Sequence, residues 1–303
     1  MISIHGLSKY FGSVHALEGI DLEITPGAPT GLVGPNGAGK TTLFSILCGF
    51  LRPTSGEVRI FGLPPLAEPL HGRIAILPQD ALLARAVPVF RQLTVFAELQ
   101  GFTRQNARIE AGRVLDLVIL RDVANRPPEA LSHGMVKRAA IAQAFIGSPD
   151  LILLDEPTSG LDPNTAGPIR ELIRATGDKR KFVISSHNLA DIEDLCQDVV
   201  ILKQGKVTAH QPISQLVSRS AVLTFTLEKA APEVTADIML GVSGVTHAEV
   251  LGEDRRRLRV RFEATAEVTV QTQILTALQA AGITFRDMSR GESLEQKVRE
   301  ITR

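Results

Sequence analysis

Hydrophobic residues follow a strand period at the start of the chain, where Ile2 and Ile4 alternate with polar neighbours. GIDLEI (19–24) continues in that style. Four later runs differ. TGLVG (30–34), RIAILPQ (73–79), LILLDE (151–156) and FVISSH (182–187) are short and almost continuously apolar, as suits central parallel strands covered on both faces. Several end on Gly, Gln, Asp, Glu or His, at the end where open α/β sheets bind ligands. Between residues 80 and 150 the strand signal disappears. Segments 90–101, 104–118 and 132–147 have helical spacing, broken by Pro127-Pro128, which predicts a helical subdomain over about 80–150 inside an α/β core. VVILKQGKV (199–207) reads as a hairpin with Gly205 in its turn.

From about residue 219 the alternating pattern returns in VLTFTL, VTHAEVL and RRLRVRF, with a helix-like PEVTADIML between the first two. Residues 266–281 carry Val270, Ile274, Leu275 and Leu278 on one helical face. ITFRDM follows, then SLEQKVREI, where Ser293 and Gln296 suit a capping box. The order β-α-β-β-α-β resembles a small ferredoxin-like module with a terminal helix. The expected division is a domain over 1–217 and an accessory α+β domain over 218–303.

Charge narrows the function. Lys+Arg and Asp+Glu both number 33, so no general attraction to nucleic acid or to anionic membranes is expected. With no Trp and one Tyr, stacking platforms for single strands are not expected either. Cys48 and Cys196 are far apart and lack metal-ligand spacing, which reads as two reduced thiols. No run reaches the roughly 18 apolar residues of a spanning helix, and MISIHGLSKYFG has no apolar signal region. The expectation is a cytoplasmic protein.

The strongest chemical signal is GPNGAGKTT (34–42), which fits G-x-x-x-x-G-K-[ST] between a strand and a helix-like run. Successive N–H groups from Gly34, Pro35, Asn36, Gly37, Ala38 and Gly39, Pro35 itself having none to give, would turn toward an anion together with the helix N-terminus of Lys40, Thr41 and Thr42. Lys40 would reach the β- and γ-phosphates, and the Thr41 hydroxyl would bind Mg²⁺. An NTP site follows. LILLDE then sets Asp155 and Glu156 at the end of a buried strand, with side chains expected on opposite sides. Asp155 can hold the Mg²⁺ shell and Glu156 can act as general base toward water. Alone, the pair reads as well as a helix N-cap before PTSGLDP; the upstream P-loop decides for chemistry.

With these motifs in order, residues 1 to about 216 resemble the ATP-binding subunit of an ABC transporter. Gln79 of ILPQ matches the Q-loop, LSHGM (131–135) the signature, LILLDE the Walker B strand, SGLD (159–162) the D-loop, and His187 of SSHNL the switch histidine. The resemblance implies an ABC-type P-loop ATPase using ATP and Mg²⁺. It makes Gln79 a ligand of Mg²⁺ or water, His187 a γ-phosphate contact and Phe11 an adenine-stacking ring. Asp162, otherwise an N-cap before Pro163, becomes a contact across a dimer interface. Ser132 and Gly134 become groups that meet the γ-phosphate bound by another chain. His133 and Met135 depart from the usual LSGGQ, so the signature is a working variant.

The resemblance also implies partners: a second ATPase chain, a homodimer rather than a heterodimer, and a separate transmembrane permease on whose cytoplasmic face the chain sits. Residues 80–101 match the region that receives the permease. The tail resembles the extension of ABC-2 export ATPases, which points to export. Arg257, Arg259 and Arg261 share one strand face there, read as a solvated face in preference to a basic patch for lipid or permease. Rival readings fit less well. A soluble ABC ATPase of translation usually carries two cassettes, and one of DNA repair carries long coiled coils; this chain has one P-loop and no heptad tract. A regulatory module without catalysis conflicts with the presence of Lys40, Glu156 and His187.

Overall fold

The alternating N-terminal pattern builds an antiparallel sheet, and the apolar runs build a parallel one. In the computed structural model, which describes residues 1–216, 222–263, 267–290 and 294–302, β1 (Ile2–Phe11) pairs with β2 (Val14–Ile24). The chain then enters β3 (Thr30–Val33), α1 (Lys40–Leu47) and β4 (Ser55–Ile60), and β4 returns to β1 to give the order β2-β1-β4. Next come β5 (Ile74–Leu77) and three helices, α2 (Val89–Leu99), α3 (Arg104–Leu117) and α4 (His133–Gln143). Helical spacing had suggested a third helix to residue 147, but regular helix ends at Gln143, because Ala144–Gly147 turn away toward a left-handed Gly147.

The α/β pattern resumes with β6 (Leu151–Asp155), α5 (Pro163–Gly177), β7 (Lys181–Ser185), α6 (Leu189–Leu195) and the hairpin β8 (Asp198–Lys203) and β9 (Lys206–Pro212). The hairpin turn has Gln204 and Gly205 at φ 48° and 76°, the pair of left-handed residues that a two-residue turn needs. These strands form a six-stranded sheet of order β5-β6-β7-β3-β8-β9, parallel except for β9. One core joins both sheets around α1, with Ile2, Ile4, Phe44, Leu151, Leu153 and Val183 all buried. Burial also explains the two cysteines: it pushes the thiols of Cys48 and Cys196 up to about 12, so both stay protonated and unreactive at neutral pH.

A short helix, α7 (Ile213–Leu216), precedes the second set of strands. The chain divides into two compact units, Met1–Ile213 with the last turn of the C-terminal helix from Ile301, and Ser214–Glu300. The second contains β10 (Val222–Leu227), α8 (Thr235–Leu240), β11 (Val245–Leu251), β12 (Arg257–Phe262), α9 (Glu267–Ala280), β13 (Phe285–Arg290) and most of α10 (Leu294–Thr302). Its antiparallel sheet has the order β11-β12-β10-β13. Leu223, Phe225, Leu258 and Val260 face a core closed by Ile274 and Leu278 of α9. Alternation puts Arg257, Arg259 and Arg261 on the opposite face, where Arg259 donates to Glu249 at 2.9 Å. Ser293 of the expected capping box lies outside the described residues.

Candidate nucleotide site

Three strand ends of the parallel sheet, those of β3, β5 and β6, converge on one cleft of about 400 Å³. Its lining includes Asn36 through Thr42, together with Gln79, Asp155 and Glu156. The loop after β3 can wrap this space because its glycines accept what a side chain cannot. A Cβ on Gly34 would lie 2.2 Å from the Leu202 carbonyl oxygen, and Gly39, at φ 108°, would drive one to 2.7 Å from the Ala16 oxygen. Helix α1 starts at Lys40 with no side-chain cap and no acidic residue in its first turn, so its N–H groups remain available to an anion.

Lys40 Nζ donates to the Gly34 oxygen at 2.7 Å and the Pro35 oxygen at 3.3 Å. Burial pushes its ammonium below the usual lysine range, against the opposing pull of Glu156 and Asp155. Thr41 Oγ1 donates to Asp155 Oδ2 at 3.0 Å, which brings a hydroxyl and a carboxylate oxygen from opposite walls together. The second Asp155 oxygen accepts from Ser185 Oγ.

Glu156 differs from the sequence expectation. Strand β6 ends at Asp155, so alternation along a strand does not orient Glu156; its backbone turns into the left-handed region at φ 52°. For a non-glycine residue that conformation costs on the order of 1–3 kcal/mol and persists where neighbours fix it. The fixing groups are the Ser185 carbonyl and hydroxyl, which accept from the Glu156 N–H at 3.2 and 3.1 Å. The residue is 6% exposed, and Oε2 lies 2.6 Å from His187 Nδ1. His187 itself is largely exposed at the end of β7.

Phe11 does not line this cleft. It is 48% exposed at the β1–β2 turn, with Lys9 Nζ 5.0 Å from its ring centroid. Its strand partner Val14, with His15 and Ala16, forms the wall, and the Tyr10 and His15 rings stack at 4.3 Å between centroids. The motifs did not single out these residues; their signal was their place beside Phe11 in the first hairpin. Lys137 was also missed. It is half-buried on α4, burial lowers its pKa, and Glu156, Asp80 and Asp155 act on it in the opposite sense.

Ser132 and Gly134 are not brought to the P-loop of their own chain. Ser132 caps α4, accepting from Met135 N–H at 3.3 Å. Gly134 packs on α5: a Cβ there would lie 1.9 Å from Thr165 Cγ2. Thr165 is held in place by Asp162, whose carboxylate accepts from the Thr165 hydroxyl at 2.5 Å while capping α5. Gly134→Ala therefore overpacks this contact, and rotating Thr165 away would break its bond to Asp162. The expected loss is about 1–3 kcal/mol, read as a lower denaturant midpoint at unchanged slope, and Thr165→Ala added to Gly134→Ala should restore most of it.

Comparison with known proteins gives the family. The ABC transporter family profile matches residues 17–159. The daunorubicin/doxorubicin resistance ATP-binding protein DrrA of Streptomyces peucetius is 33% identical over 251 residues, covering 81% of this chain and 76% of that protein. ABC transporter A family member 8 of Dictyostelium discoideum is 36% identical over 226 residues; the alignment covers 71% of this chain but only 27% of that longer protein. An ATP-binding cassette solved as a dimer in a post-hydrolysis state with ADP and Pi superimposes with a TM-score of 0.63 at 25% identity, over 70% of this chain and 98% of that one. The chain belongs to the ABC transporter family of ATP-binding proteins. It is an ABC-type ATPase.

Proposed function

We propose that this chain is the ATP-hydrolysing subunit of an exporter, working as a homodimer on a separate membrane permease. The observation that carries the hydrolytic part is the convergence of Lys40, Asp155 and a His187-bound Glu156 on one cleft. In this reading Lys40 and the α1 N-terminus hold the phosphates, and Glu156 accepts the proton of the attacking water. His187 orients Glu156 through its 2.6 Å contact and, once that carboxylate engages water, faces the γ-phosphate. The oxygen donors of Thr41, Asp155 and Gln79 suit Mg²⁺, a hard cation, which would neutralise phosphate charge when bound.

The signature residues belong to a partner's site in this reading. Ser132 and the first turn of α4 present a hydroxyl and a helix N-terminus outside the cleft of their own P-loop. Two chains placed head to tail would each complete the other's site, as the dimeric relative supports. Ser132→Arg should then remove ATPase activity while leaving ATP binding by the isolated chain intact. Unchanged turnover would refute the trans role.

The permease contact is assigned to an apolar groove of about 430 Å³ beside α2, lined in part by Phe50, Leu66, Leu70, Ile76 and Leu99. Phe50 is 67% and Leu99 79% exposed, which suits a short amphipathic helix of a membrane subunit. The preceding segment is pinned to α2 by Gln92, whose amide bonds Ala84 N–H, Ala84 O and Val87 O at 2.7, 3.0 and 2.7 Å. Leu99→Asp should uncouple ATPase activity from transport without changing the basal rate of the isolated chain. No described helix is long and apolar enough to cross a membrane. Export as the direction rests on the likeness to DrrA.

A further inference from the structure

Behind the cleft lies a buried polar cluster with no part in the roles assigned above. Asp191, in the first turn of α6, is 2% exposed. One carboxylate oxygen accepts from Thr158 Oγ1 at 2.6 Å and the other from Arg170 Nε of α5 at 2.8 Å. Thr158 lies two residues beyond Glu156, and Asp191 four beyond His187. The cluster therefore ties together the two segments that carry the reacting pair.

A buried, paired carboxylate is poor evidence for added stability, because desolvation offsets most of the attraction. Its geometry is more informative. Glu156 holds a left-handed backbone, which needs fixing from both sides. On the sheet side its N–H is held by Ser185. On the far side the Glu156 carbonyl accepts from Ser159 N–H at 3.2 Å, and the side-chain tie that reaches this turn from another element is the Thr158 bond to Asp191. The same carboxylate holds Arg170, midway along the helix whose first turn packs Thr165 against Gly134. One side chain thus links the segment of Glu156, the helix after His187 and the helix that contacts the signature.

We propose that Asp191 is a positioning residue for ATP hydrolysis, which by gripping Thr158 and Arg170 holds Glu156 and His187 in register with each other. This rests on the reading of Glu156 as the base. Asp191 is buried and does not line the cleft, so its removal should act on turnover and leave nucleotide binding alone. Misplacement by a fraction of an ångström at a reacting group is enough to slow chemistry strongly.

The test is steady-state ATP hydrolysis by the full chain, at protein concentrations where turnover per chain no longer rises, with affinity measured separately using a fluorescent ATP analogue. Asp191→Asn is expected to lower kcat about tenfold or more, with KM and nucleotide affinity within about twofold of the starting protein. Thr158→Val should match it, and Thr158→Ser, which keeps the hydroxyl, should restore activity. The Thr158→Val/Asp191→Asn double variant should be slowed by less than the product of the two single effects, since both weaken the grip of one side chain. Should Asp191→Asn fail to fold, the Thr158→Val and Thr158→Ser pair carries the test. A kcat within about twofold of the starting value for Asp191→Asn, or equal losses in Thr158→Val and Thr158→Ser, would overturn the proposal. Glu156→Gln is run beside them: turnover surviving there removes the base itself, whereas an inactive Glu156→Gln beside a fully active Asp191→Asn removes only the positioning role.

Discussion

Glu156→Gln should lower ATP turnover by about 10²–10⁴-fold while ATP still binds, because the amide keeps the shape of the side chain but cannot take a proton. The carboxylate is buried and lies 2.6 Å from His187, so the substitution removes a proton acceptor without opening a cavity. The same variant should trap the closed dimer. Light scattering with ATP and Mg²⁺ should give twice the mass found without nucleotide, if like chains complete each other's sites. A single-chain mass in both conditions, with ATP bound, would mean that the completing signature comes from an unlike chain or that closure needs the permease.

Lys40→Ala should weaken ATP binding itself, by on the order of 100-fold, the loss of one or two charge-assisted hydrogen bonds to phosphate. The direction follows from the lysine's surroundings. Burial disfavours its ammonium, and the carboxylates of Asp155 and Glu156 sustain it. An incoming polyphosphate would add negative charge and favour the ammonium further, so binding should draw a proton toward Lys40 and weaken as pH rises through its range. Calorimetry in buffers of different ionisation enthalpy would detect that uptake. Affinity unchanged in Lys40→Ala would show that the loop N–H groups alone hold the nucleotide.

The sequence carried the parts of this site that are local. GPNGAGKTT is contiguous, and its spacing alone predicts a turn, a helix start and a cation. LILLDE and FVISSH are contiguous strand-end signals, and they meet through the contacts of Ser185 and His187 with Asp155 and Glu156, which line the cleft. Contacts between distant segments were not legible. Thr158 and Asp191 are 33 residues apart, and no pattern in either segment marks them as partners. The left-handed turn at Glu156 escaped because alternation presumes that the strand continues, whereas β6 stops one residue earlier. The glycine of LSHGM could be read as making room for something; that it makes room for Thr165 depends on how α4 crosses α5. In the second unit alternation made the buried face of β12 legible, since a one-residue slip would have buried Arg257, Arg259 and Arg261 in place of Leu258, Val260 and Phe262.

The contact between Gly134 and Thr165 has a consequence for how such chains can vary. The two positions share a space too small for one more methyl group, and Asp162 holds the threonine in its rotamer. They should therefore change together: a relative with alanine or serine at 134 is expected to carry glycine, alanine or serine at 165, and a chimera that exchanges the segment around LSHGM without the first turn of α5 should inherit the clash. Recombination points for domain-swapped variants belong before residue 131 or after α5, never between.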